Sequence, residues 1–167
     1  NRFNINNKES YASYEISQER INDFRELVDI CREKNIDIKV FISPSHATDM
    51  EAIRVSGKWK DFEDMKRLLC TITPIWDFSG YNSITTEPVG QERQYYWDSS
   101  HYKKEVGNMI LSKLSGIKGN SPDDFGVIIT PENVEKHLVA VRASRDIWAK
   151  DNLDIVNYVQ SLRESNL

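Results

Sequence analysis

Asn35-Ile36-Asp37-Ile38-Lys39-Val40-Phe41-Ile42-Ser43-Pro44-Ser45-His46 is the stretch that decides the fold. Ile36 to Ile42 is dense in β-branched residues and closes on Ser43-Pro44, which reads as a strand. Just upstream, Ile21, Phe24, Leu27, Val28 and Cys31 recur at helical spacing. That helix is expected to start at Ser17, whose hydroxyl can cap it, with Ile16 and Ile21 at the spacing of a hydrophobic staple. Asn35, a residue that tolerates the left-handed conformation, is its expected terminator. A helix followed within two residues by a strand is the second half of an α/β repeat, so the chain is read as α/β.

Downstream the alternation continues. Thr48 and Glu51 have capping-box spacing for a short helix ending near Gly57. A helix over Lys58 to Cys70 is expected to carry Trp59, Phe62, Met65, Leu68 and Leu69 on its inner side. Thr71 to Phe78 reads as a second strand, paired only after Pro74 because proline donates no ladder hydrogen bond. Ser79 to Ser83 is a turn, and 84–94 reads as a loop without a core pattern. A helix from about Ser100 to Leu114 directs Val106, Met109, Ile110 and Leu114 inward. A Gly/Ser/Pro/Asp linker over 115–124 then leads to a short strand, Phe125 to Ile129. Thr130-Pro131 opens a helix carrying Val134, Leu138, Val141 and Ile147, and a last helix uses Leu153, Ile155, Val156, Tyr158, Val159 and Leu162. This order is the grammar of a doubly wound α/β sheet with fewer strands than a complete one. The expected division is an arm over 1–15, an α/β unit over 16–115, and a linker, strand and helices over 116–167 packing on the same domain.

With 167 residues the chain is long enough for one domain with its own core. A net charge of −4 with no Lys/Arg cluster argues against a nucleic-acid partner. No apolar run reaches the length of a membrane span. The chain opens on Asn1 rather than Met and reads as a fragment or a processed form. Cys31 and Cys70 have neither CxxC nor Cys/His spacing and are expected to be buried free thiols. The three histidines lie far apart and no Gly-rich phosphate loop follows a strand, so neither a metal nor a cofactor is expected.

The chemistry-bearing stretch is Tyr95-Tyr96-Trp97-Asp98-Ser99-Ser100-His101-Tyr102. Asp98 and His101, three residues apart, can share one face of a tight turn. The carboxylate can then hold Nδ1–H and leave Nε2 to accept a proton from a hydroxyl brought from elsewhere. The same stretch equally admits Asp98, Ser99 or Ser100 as a simple helix cap. His46 has two readings. It is a pocket residue, an oxyanion donor or substrate contact with Ser43 or Ser45 as a candidate nucleophile, or a helix-entry residue satisfied by backbone groups. His137, among charged neighbours, is expected at the surface. The aromatics from Trp76 to Tyr102, Trp97 among them, can line a sugar-binding cleft or fill the core. Ligands of open α/β sheets sit at the carboxyl ends of strands, so Ser43–His46 and the segment from Asp77 to His101 are expected to meet at one edge.

Trp76-Asp77-Phe78-Ser79, a loop, and then Tyr96-Trp97-Asp98-Ser99-Ser100-His101-Tyr102 resembles the last block of the SGNH (GDSL-like) hydrolase superfamily. Val40-Phe41-Ile42-Ser43-Pro44-Ser45-His46 is similar to that fold's penultimate strand, and Phe125 to Asn133 resembles a tail found in members of the group. The resemblance spans roughly residues 20–140. It implies a flavodoxin-like three-layer α/β/α sandwich, of which this chain carries the C-terminal βα units and a helical tail. It further implies Asp98 as orienting acid and His101 as general base. His46, Ser45 and Trp97 are the candidates for substrate contact. The substrate class it implies is an acyl ester or acylated polysaccharide, in a periplasmic or cell-envelope setting. The family's Gly-Asp-Ser-like block should precede the first helix, and nothing here matches it. The nucleophile is therefore expected on a missing N-terminal part of the same protein, and the chain alone is expected to be inactive. The alternative is a non-catalytic binding or assembly module on the same fold.

Overall fold

The structure, a computed structural model, describes residues 13–90, 92–117 and 119–164. Most of the expected N-terminal arm lies outside them. The described residues form a mixed α/β fold of six helices and one three-stranded sheet. Helix α1 (Gln18–Glu33) begins where Ser17 Oγ accepts the Arg20 N–H at 3.3 Å, and Ile16 packs against the cluster of Ile21, Val28 and Ile72, as the staple requires. Its exit is also as expected: Asn35 adopts φ 54°. Strand β1 (Val40–Ile42) is shorter than the β-branched run that announces it. The reason lies in the helix exit, where Ile36 N–H bonds the Cys31 carbonyl at 2.8 Å and Ile38 N–H bonds the Ile36 carbonyl at 3.0 Å. Those groups are used locally and cannot enter a ladder.

Helices α2 (Ala47–Val55) and α3 (Trp59–Cys70) lead to strand β2 (Ile75–Asp77), which pairs parallel with β1 in the register Val40–Ile75 and Ile42–Asp77. Pairing begins immediately after Pro74, as its missing N–H dictates. Helix α4 (Lys104–Ser115) follows, and strand β3 (Val127–Ile129) pairs antiparallel with the free edge of β2, making β2 central. Helices α5 (Val134–Asp151) and α6 (Leu153–Glu164) complete the order.

Alternation along β2 separates two cores. Ile75 joins Ile129, Cys70, Val134 and Leu138, with Phe24 of α1 beside them. Trp76 turns to the cluster of Phe78, Ile84, Tyr96, Phe125 and, from α4, Val106 and Ile110. Each fully buried aliphatic side chain in these clusters contributes about 1.5–3 kcal/mol. Gly126 admits β3 to this packing: at φ +89° an added Cβ would lie 2.3 Å from the Phe78 ring.

Several sequence expectations are corrected. Helix α4 starts at Lys104 rather than Ser100, because residues 96–102 are occupied by a closed loop described below. Thr48 and Glu51 do not form a capping box; His46 caps α2, and Glu51 is buried against Tyr81 and Arg145. The 84–94 loop is not free of core residues, since Ile84, Thr85 and Glu87 are buried. Ile147, Leu153 and Tyr158 are exposed rather than inward, and only Val159 of the last helix's apolar set is fully buried. Cys31 and Cys70 are buried free thiols, as expected.

Candidate functional site

Residues 95–103 form a small closed loop. Trp97 N–H donates to the His101 carbonyl at 2.8 Å, Lys103 N–H donates to the Tyr95 carbonyl at 2.7 Å, and Tyr96 and Tyr102 face each other in an isolated antiparallel bridge. The base of the loop is anchored by Glu87, whose carboxylate accepts the N–H groups of Gln94, Tyr95 (2.8 Å) and Tyr96 (3.1 Å). Tyr96 is fully buried, so it belongs to the core, whereas Trp97 is 65% exposed. Lys103 Nζ sits 4.7 Å above the Trp97 ring. The aromatic run is thus divided between core and surface, and Trp97 is the member left available to a ligand.

At the loop tip Asp98 Oδ1 accepts the N–H groups of Ser100 (2.9 Å) and His101 (2.8 Å). Its carboxylate also lies 2.9 Å from His101 Nδ1. Burial opposes ionisation of Asp98, yet the two backbone N–H groups and the imidazole hold its carboxyl below the ordinary carboxylate value. An ionised Asp98 fixes the neutral His101 as the tautomer with its proton on Nδ1. The imidazole is 76% exposed, and Nε2 has no hydrogen-bond partner among the described residues. The helix-cap alternative is not realised, since α4 begins at Lys104 with Lys103 at its N-cap and no side-chain cap hydrogen bond; Asp98 instead closes its own loop while it faces the imidazole.

The two segments expected to meet do meet. His46 N–H donates to the Ser99 carbonyl at 2.9 Å, and Tyr96 Oη donates to the Pro44 carbonyl at 3.4 Å. The loop therefore sits on the carboxyl end of β1. His46 itself is buried and spent. Its Nδ1 accepts the Thr48 N–H at 3.2 Å, its Nε2 is 2.7 Å from the Glu87 carbonyl, and its ring meets Tyr96 edge to face. Burial lowers its pKa, with the Glu87 carbonyl acting the other way, so the ring is neutral at pH 7. This is the helix-entry arrangement. Ser43 is exposed and Ser45 half-buried, and no hydrogen bond joins either to His101. Ser100 Oγ is 3.2 Å from His101 Nδ1, the nitrogen already facing Asp98 rather than the one a nucleophile would need.

A second Asp–His pair went unrecognised in the sequence. His137 is not at the surface: its side chain is 11% exposed, and Nε2 lies 2.8 Å from Asp77 Oδ2 at the end of β2. The same carboxylate oxygen accepts from Lys66 Nζ at 2.7 Å, while Oδ1 accepts the Ser79 N–H and Oγ–H at 2.9 and 2.6 Å. Lys66 Nζ also donates to Ser79 Oγ at 2.7 Å. Burial disfavours the Asp77 charge, but the Lys66 ammonium beside it and the His137 contact hold its pKa far below the ordinary carboxylate range. A helix-face signal existed for both partners. Lys66 falls four residues after Phe62 and four before Cys70, and His137 sits on the Val134–Leu138–Val141 stripe.

Among the described residues no group of three or more His, Cys, Asp or Glu side chains is placed to hold a metal ion, and no helix is long and apolar enough to cross a membrane. Comparison with protein-family models, curated proteins and solved structures gives no match.

Proposed function

We propose that this chain carries the acid–base half of an SGNH-like hydrolase or acyltransferase acting on acyl esters, with O-acetyl groups on an envelope polysaccharide as the substrate class. The observation that carries the reading is the Asp98–His101 geometry: a carboxylate locked by two backbone N–H groups, an imidazole fixed through Nδ1, and Nε2 open to solvent. In this reading a serine from the part of the protein preceding these residues attacks the acyl carbonyl. His101 Nε2 takes the serine proton and later returns it to the leaving alcohol, and Asp98 stabilises the imidazolium between those steps. Exposed Trp97 offers a stacking face to a sugar ring. The flavodoxin-like sandwich belongs to the same proposal. Among the described residues strand β1 lies at the edge of the sheet, which suits continuation of the sheet by strands from that preceding part.

The test is hydrolysis of p-nitrophenyl acetate. Residues 1–167 alone are expected to give little or no turnover, and the protein extended upstream is expected to give turnover that His101→Ala abolishes. Strong hydrolysis by these residues alone, removed by Ser45→Ala, would overturn the placement of the nucleophile. Extended-chain activity that survives His101→Ala would sink the dyad assignment. Exposed Trp97, on a loop whose histidine has no hydroxyl bonded to Nε2 among the described residues, supports one second reading, a non-catalytic binding module for a glycan. It predicts an extended chain without activity and glycan binding that depends on Trp97 but not on His101.

A further inference from the structure

A different surface carries an independent inference. Between α2, α3 and α5 lies a cleft of about 140 Å³ lined by Arg54, Trp59, Arg142, Arg145 and Asp146. Three guanidinium groups face it against one carboxylate, in a chain whose net charge is −4. The carboxylates that compensate them stand behind the wall. Glu51, fully buried, takes Arg145 through Nε and Nη2, both at 2.8 Å, and lies 3.6 Å from Arg54 Nε. Glu63, almost as buried, takes Arg142 through Nη1 at 2.7 Å to both oxygens and holds Trp59 Nε1 at 2.8 Å.

This arrangement orients the cations without using all their donors. Arg145 is committed to Glu51 and, at 3.3 Å, to Asp146. By contrast, no donor of Arg54, whose Nε only approaches Glu51 at 3.6 Å, and neither Nε nor Nη2 of Arg142 makes a hydrogen bond among the described residues; their side chains are 48% and 44% exposed. Planar guanidinium donors backed by buried carboxylates and open in front match the geometry of an oxyanion, which takes parallel N–H···O bonds. Trp59 supplies an apolar wall beside them, suited to a ring.

We propose that this cleft binds a carboxylate, sulfate or phosphate group carried on a sugar-sized ring laid against Trp59. The site stands apart from the ester reading and holds whether or not that reading does. The experiment titrates the whole chain with glucuronate, glucose 6-phosphate, glucose 6-sulfate and, as the uncharged control, glucose, following the Arg Nε–Hε and Trp59 indole NMR signals. At least one of the anionic sugars is expected to saturate these signals, with affinity falling as salt rises, while glucose does not. Arg54→Gln and Arg142→Gln are each expected to weaken that binding by about tenfold. Arg54→Gln leaves Glu51 paired with Arg145 and Tyr81, so its fold is expected to persist, and an unchanged thermal midpoint checks this. Failure of every anionic sugar to bind, binding of glucose as tight as theirs, or affinity indifferent to both substitutions would overturn the proposal.

Discussion

Two Asp–His pairs of nearly equal length have opposite fates in this molecule. Asp98–His101 spans 2.9 Å and three residues on an exposed loop tip, while Asp77–His137 spans 2.8 Å and 60 residues in the interior. The buried carboxylate is saturated by an ammonium, an imidazole, a hydroxyl and a backbone N–H drawn from α3, the end of β2 and α5. That makes it a clamp between elements. The exposed carboxylate is saturated only from its own loop, and the imidazole it orients keeps one nitrogen facing solvent. Burial makes the Asp77–His137 pairing costly to break, and exposure leaves His101 Nε2 of the other pairing facing solvent.

The contrast breaks most readily at Asp77. Asp77→Ala strands the fully buried Lys66 ammonium and is expected to cost about 3–5 kcal/mol in urea or thermal unfolding. A loss below about 1 kcal/mol would show that the clamp adds little beyond a surface ion pair. His137→Ala leaves the Lys66–Asp77 pair intact but removes one buried hydrogen bond, so a smaller loss of about 1–3 kcal/mol is expected by the same measurement.

Acid titration separates the pairs further. Because the folded pKa of Asp77 is depressed, its stabilisation is fully present above the unfolded value near about pH 3.9 and is lost as pH falls towards the folded one. Unfolding free energy measured from pH 6 downward is therefore expected to decline steeply below about pH 4. Asp77→Asn should flatten that decline, whereas Asp98→Asn, on an exposed loop, should leave most of it. Equal flattening by both variants would contradict the distinction. The smallest effect is expected at Trp97, 65% exposed, where replacement by Ala should change stability by no more than about 0.5 kcal/mol and leave any ligand effect cleanly readable.

What could be read in advance follows from distance along the chain. The cap at Ser17, the stop at Asn35 and the onset of β2 after Pro74 depend on neighbouring residues, and each stands where the sequence places it. The Asp98–His101 pair was legible for the same reason, being closed within one loop. Lys66, His137, Glu51 and Glu87 escaped because hydrophobic periodicity assigns charged residues to solvent. Their partners are supplied by tertiary structure: Glu51 meets Arg145 across 94 positions, and Glu87 folds the 84–94 loop back onto the aromatic run. The buried charges on α3 also explain why its expected inner residues Trp59, Phe62, Met65, Leu68 and Leu69 are only half-buried, while Glu63 and Lys66 lie deeper.

The most direct measurement is the tautomer of each histidine by long-range ¹H–¹⁵N NMR at a pH where the rings are neutral. Asp98 facing Nδ1 requires His101 to carry its proton on Nδ1 with a lone pair on Nε2. His46 and His137, facing acceptors through Nε2, should show the opposite tautomer. Conversion of His101 alone towards the Nε2–H form by Asp98→Ala, with the other two unchanged, is the predicted result. A His101 already in the Nε2–H form, or one indifferent to loss of Asp98, would contradict the base role proposed for it.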